Sequence, residues 1–283
     1  AYEQLQQMYE LSPEYPEGWG AAAFIENDTA FIRRSPFSVE NGESNELWIQ
    51  THIELLSHPT ANAVSWHLRK ASSGLDSIPD PHPFVWRRAN SHYYAFAHHG
   101  GISKESIVEH QDFVDWVNNP LHPERLPNTY GYQGNWWEPP VLDSVLVDSE
   151  LYFLFLIYHI EAYDDDILNG INAALPKLLP DNERKNLNFT FTDGNSLLAY
   201  RNAYDNVHPL YYQSDTTMWN YHAVMTEPGE GVWQALPNHS LFYANRDGSS
   251  AVIANFPAPN SWEIKRLHAG ENWVSFPRLP RQE

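Results

Sequence analysis

Residues 148–163, DSELYFLFLIYHIEAY, carry apolar side chains on every side of a helical wheel. A helix of that kind has no face to offer water, so other elements must cover it on most sides. Asp148 at the N-cap and Glu150 in the first turn fix its start, because carboxylates there meet unsatisfied backbone N–H groups. Its longest apolar run, Leu151 to Tyr158, is too short for a bilayer span, which takes about 20 residues. The cover must therefore come from the rest of the chain, and both flanks are rich in strand patterns. Before the helix, strands are expected at residues 19–25, 30–34, 63–68, 84–87 and 92–98. After it they are expected at 187–192, 196–201, 208–213, 220–225, 231–235, 240–244 and 251–256. LNFTFT and SLLAYR flank Asp193-Gly194-Asn195, a hairpin signal. Helical patterns at 2–11, 45–57, 103–117 (with Ser103 as N-cap) and 167–179 complete the reading. Strands, a central helical pair, then more strands imply an α+β chain with sheets packed face to face and helices outside. No shift in composition marks a boundary, so residues 1–283 read as one domain.

Charge and composition narrow the partners. Acidic residues outnumber basic ones 36 to 17, for a formal charge of −19. That field repels phosphate backbones and anionic membrane surfaces, so neither nucleic acid nor membrane is an expected partner. The chain has no cysteine, which removes disulfides, zinc–thiolate sites and thiol catalysis from the sequence as it stands. Asn-X-Ser/Thr triplets at Asn27, Asn188 and Asn238 matter only in a glycosylating secretory route. Ala1 reads as a processed or trimmed start, and the expected location is extracellular or periplasmic.

Several familiar chemistries find no motif. There is no HExxH for zinc, and strand alternation puts His92 and His98 on one face and His99 on the other, so no metal is expected. Asp164–Asp166 lacks EF-hand spacing and reads as a solvated helix start. No GxGxxG or P-loop supports a nucleotide, and no cofactor is expected. Residues 118–147 are irregular and rich in Pro, Asn, Gly and Trp. The part bounded by Tyr130 and Pro139, with Trp136-Trp137, is read as a contact surface for self-association, the alternative being that its aromatics close the core.

The motifs that remain share an order. They are Gly18-Trp19-Gly20, His67-Leu68-Arg69 with Ala71-Ser72-Ser73-Gly74, His82-Pro83-Phe84, and Phe96-Ala97-His98-His99-Gly100. Val147-Asp148-Ser149-Glu150, Asn188 to Tyr200, and Met225-Thr226-Glu227-Pro228 with Trp233 follow. In that order they resemble the compact, stand-alone class II glutamine amidotransferase-like proteins, which are N-terminal-nucleophile hydrolases. The resemblance implies a four-layer αββα sandwich of mainly antiparallel sheets and an amidohydrolase acting on glutamine or a γ-glutamyl amide.

It also implies roles. Arg69, with Ser72 and Ser73, would hold the substrate carboxylate, a task that suits a planar guanidinium. Asp148 would pair with the substrate ammonium, a role compatible with capping the helix. His99 stands where the family has the Asn of its oxyanion hole, beside Gly100, which supplies a backbone N–H. The family's nucleophile, an N-terminal cysteine on a first strand, has no counterpart here. Three explanations stand: the strand is lost or removed, it lies on a piece outside this sequence, or Ala1 occupies the cysteine's place. The first is preferred because YEQLQQMYEL, residues 2–11, shows no strand alternation. Two functions follow: an amidohydrolase that is inactive as this chain stands, or a non-catalytic, self-associating extracellular binding protein on the same fold.

Overall fold

The computed structural model describes residues 2–25, 29–57, 63–70, 81–87, 93–127, 135–139, 141–144, 146–204, 208–215, 221–257, 262–263 and 276–277. In chain order the first elements are α1 (Tyr2–Leu11), β1 (Trp19–Ile25), β2 (Thr29–Ser35), α2 (Gly42–Ser57), β3 (Ala63–Leu68), β4 (Phe84–Arg87) and β5 (Tyr93–Gly100). The helical middle comprises α3 (Lys104–Val108), α4 (Gln111–Val117), α5 (Val141–Ser144), α6 (Asp148–Ala162) and α7 (Ile167–Leu178). Strands then return as β6 (Leu187–Thr192), β7 (Ser196–Arg201), β8 (Tyr211–Asp215), β9 (Tyr221–Met225), β10 (Gln234–Ala235), β11 (Ser240–Asn245) and β12 (Ser250–Ala254), with a two-residue pair β13 (Trp262–Glu263) and β14 (Phe276–Pro277).

The architecture is αββα with antiparallel sheets, as expected. A six-stranded sheet, order β12-β11-β7-β6-β5-β4, carries α6 and α7 on one face. Phe96, Phe189, Phe191, Leu198 and Leu241 of that sheet meet the helix side chains in the main core, where α6 is buried almost end to end. Its opposite face is covered by two smaller sheets, β2-β1-β3 and β10-β8-β9. Ala22 and Phe24 of β1 pack on Ala95 of β5 at one end. Tyr212 and Val224 pack against Ala199 of β7 and Phe242 of β11 at the other. The strand order thus leaves β6 between the regions that the two small sheets cover. Outermost, Trp48 of α2 and Met8 of α1 close over Trp19 and Trp66.

Alternation decides which side chains reach the interior. On β5, Tyr94, Phe96 and His98 face the helices, while Ala95 and His99 face the other sheet layer. The Asp193-Gly194 turn forms as its sequence demands: Asp193 Oδ1 accepts from the Asn195 and Ser196 N–H groups, and Gly194 takes φ +84°.

Three expectations need correction. The helix expected over 103–117 is two helices, because the chain turns at Glu109-His110 before α4 begins. Ser103 does cap the first, its side chain accepting from Ser106 N–H. The residue capping α6 is Val147, whose side chain makes no cap bond; Asp148 is the first helical residue. In the irregular segment, Trp136 is 1% exposed, packs edge-on to Phe113 and donates to Asn118 Oδ1. It therefore closes the core rather than presenting an aromatic contact face. Trp137 is half-buried beside it, and residues 130–134 lie outside the described residues.

Candidate active site

The site is built where the C-terminal ends of β3 and β5 meet the start of α6. The Arg69 N–H donates to Gly18 O, extending the β1–β3 ladder by one bond past Trp19 and Leu68. Its Nη1 donates to Glu17 O at 3.3 Å, and the residue is 4% exposed. A guanidinium so deeply placed is held by a fixed backbone acceptor rather than left to solvate at the surface.

Asp148 is 7% exposed and ties two elements together. Oδ2 accepts from the Ile102 N–H that follows β5, and Oδ1 accepts from the Ser149 N–H at 2.9 Å. Next to it, His98 spans the gap between α6 and the residue that precedes β6, Asn186. One ring nitrogen lies 2.8 Å from Ser149 Oγ and the other 3.1 Å from Asn186 O. A carbonyl can only accept, so Nε2 carries the proton and Nδ1 accepts from the Ser149 hydroxyl. The same Asn186 carbonyl accepts from Gly101 N–H, and a side chain on Gly100, at φ +149°, would run into it.

Between these residues lies an imidazole cluster that sequence reasoning passed over. The rings of His67 and His82 stand 4.3 Å apart, centroid to centroid, nearly perpendicular. Burial is the main cause that pushes His67 down to about 3, with the fields of His99, His98 and Arg69 adding to it. Burial also holds His82 well below its ordinary value, aided by His67, His98, Arg34 and Arg69. His99 is pushed down to about 4 by burial, then by His208, whose ring is 4.8 Å away. All three are neutral at pH 7. Among the described residues, Nδ1 of His67 and both ring nitrogens of His82 have no hydrogen-bond partner. Each such buried nitrogen costs about 1–3 kcal/mol. The signal was present, since both histidines stand in the quoted motifs, but neither spacing nor periodicity gave them a task.

The predicted residues are thus partly assembled. Arg69 acts on His67 and His82, Asp148 acts on His98, and His98 acts on both of those histidines. Arginine and carboxylate are thus both buried and each acts on a member of one histidine cluster, to which His99 of β5 also belongs. Ser72 and Ser73, like His92, lie outside the described residues. Two surface clefts, one lined by Arg34 and Glu43 and another by His110 and Lys177, contain neither Arg69 nor Asp148. A second, half-buried cation is Arg34 of β2, which donates to the Pro83 carbonyl and is pushed down to about 10 by desolvation, with Glu150 opposing. Among the described residues, no group of three or more His, Asp or Glu is arranged to hold a metal.

Two stacked antiparallel sheets between helical layers define the N-terminal-nucleophile hydrolase fold. Within that class the chain has the fold of class II glutamine amidotransferase domains. A protein from Silicibacter pomeroyi described as a glutamine aminotransferase class-II domain protein superimposes with a TM-score of 0.55 at 19% identity, covering 86% of this chain and 92% of that one. The glutamine phosphoribosylpyrophosphate amidotransferase of B. subtilis gives 0.54 at 13% identity, covering 89% of this chain and 46% of the enzyme. An allosteric regulatory enzyme of purine biosynthesis gives 0.56 at 15%, again with 89% of this chain and 45% of the other. In sequence, an uncharacterized protein of Methanocaldococcus jannaschii is 27% identical over 191 residues, which is 67% of this chain and 44% of that protein's length. No family model matches.

Proposed function

We propose that this domain binds the amino-acid head of glutamine or of a γ-glutamyl amide at the imidazole cluster, with Arg69 on the carboxylate and Asp148 on the ammonium. Amide hydrolysis there needs an N-terminal cysteine that this sequence does not contain. One observation carries the reading. Among the described residues, three ring nitrogens of His67 and His82 are buried without partners, in a cluster that feels the charge of the buried Arg69 guanidinium, while the neighbouring His98 feels that of the buried Asp148 carboxylate. Polar groups left unmatched in that way are the mark of a site that a polar ligand completes.

The chemistry follows from the positions. Attack on the side-chain amide carbon places negative charge on its oxygen, and expulsion of ammonia with later entry of water yields glutamate. The donors offered are the Gly100 N–H and the single N–H of a neutral His99. A strand bearing the nucleophile has a seat in principle: β3 and β9 are edge strands among the described residues, and β6 lies between the regions that the small sheets cover. Gln7 and Tyr15 both bind Glu227, just after β9, and so bring the end of that strand towards Gly18 and Arg69.

The absence of any cysteine favours a second reading, binding without turnover in an extracellular component. Calorimetric titration of L-glutamine and a glutaminase assay separate the two. The proposal expects glutamine binding by the chain as given, lost in Arg69→Ala. Turnover should appear only when a cysteine-bearing N-terminal strand is added in cis. Unchanged affinity in a folded Arg69→Ala variant refutes the site. Binding that persists with no turnover after the addition leaves the second reading standing.

A further inference from the structure

On the helical face, away from the imidazole cluster, a cleft of about 220 Å³ opens between α4, α6 and α7. Its floor is Phe155, Tyr158 and His159 of α6; Lys177 of α7 stands on one rim, and Glu109 and Asp112 stand on the other. His159 is 5% exposed, yet its Nε2 has no partner among the described residues. Burial pushes it down to about 4, followed by the nearby charges of Lys177 and His110, so it stands neutral next to the lysine. Tyr158, by contrast, is raised by burial and then by the nearby charge of Asp112. The cleft therefore has a basic pole at Lys177, beside the neutral His159 ring, and an acidic pole at Asp112 and Glu109. Among the described residues, Lys177, Glu109 and Asp112 form no ion pair or side-chain hydrogen bond with one another, although they border one small space.

We propose that this cleft binds a small zwitterion, its ammonium between Glu109 and Asp112, its carboxylate on Lys177 and His159, and its carbon stem over Phe155 and Tyr158. Charge balance selects that class. A simple anion would meet two carboxylates on a chain of formal charge −19. A metal ion finds no group of three or more His, Asp or Glu arranged to hold it among the described residues. A molecule with both charges satisfies each pole, and the orphaned Nε2 gains a neighbour that a solvated surface cannot give it.

The test is calorimetric titration of the full chain with glycine, β-alanine, 4-aminobutanoate and 5-aminopentanoate, against butanoate and butylamine as half-molecules. At least one zwitterion should bind about tenfold tighter than either half-molecule. Lys177→Met and Asp112→Asn, both at exposed positions, should each weaken it by about tenfold or more. No binding by any of the four, equal binding by butanoate, or affinity unchanged in Lys177→Met overturns the proposal. Binding that survives both variants but vanishes in Arg69→Ala belongs to the other site and counts against this one.

Discussion

At the scale of single residues, Gly100 and Gly101 make a controlled pair. A Cβ on Gly100 would lie 1.8 Å from the Asn186 carbonyl oxygen at φ +149°, where L side chains are strained in any case. On Gly101 the nearest atom would be Asp148 Oδ2 at 3.6 Å, an ordinary contact. Gly100→Ala should therefore cost about 3 kcal/mol in urea unfolding, and Gly101→Ala under about 1. Comparable losses for the two would mean that the Asn186 carbonyl does not fix the end of β5. The site residues were legible in the sequence to the extent that the order of motifs singles them out. Arg69 and Asp148 were assigned through the resemblance to class II glutamine amidotransferases, and the structure buries both. His67 and His82 were written in the same motifs, but a histidine's role depends on what surrounds its ring, and only folding brings β3 and the segment before β4 into contact. Asp148 shows the converse. Its type suggested a cap, whereas its carboxylate reaches across to the Ile102 N–H, a tertiary bond that no local pattern encodes.

Elements were more legible than their joints. The all-apolar stretch gave α6 its buried place between helices and sheet, and alternation set His98 and His99 on opposite faces of β5. The break at Glu109-His110 was not legible, since a helical pattern continues through it and the turn serves packing of α4 against α6. The contact between α6 and α7 depends on a similar tertiary detail. A Cβ on Gly170 would stand 2.5 Å from the Ile160 Cα, backbone against backbone. Alanine is about 1 kcal/mol better than glycine in an isolated helix. Here the overpacking cost of about 1–3 kcal/mol should exceed that gain, because neither helix can yield without disturbing the sheet side of α6. Gly170→Ala should thus lower stability by about 1–2 kcal/mol in urea unfolding. A stabilised variant would show that the crossing is looser than this geometry requires.

For the whole molecule, buried neutral histidines and the acidic surface set the response to pH. Folded His67, at about 3, and His99, at about 4, stay neutral through mild acid, whereas histidines in the unfolded chain take up protons near pH 6.5. The unfolded state then binds more protons, so stability falls as pH drops below about 6.5 and goes on falling towards the folded values. Each such group contributes a slope of up to about 1.4 kcal/mol per pH unit. Relief of acidic self-repulsion opposes this, but carboxylates titrate mainly near pH 4, so between pH 6.5 and 5 the histidine effect should win. Thermal melts should show Tm declining across that window; a flat or rising profile would contradict the burial of the cluster. His82→Leu sharpens the test. It removes two orphaned nitrogens from a site between His67 and Phe84, and should raise stability at pH 7 by about 1–3 kcal/mol while making the acid slope shallower. If the cluster exists to receive a polar ligand, the same change should weaken glutamine binding, since stability withheld at such a site is what function requires. A variant that gains stability and keeps full glutamine affinity would separate the imidazoles from the ligand.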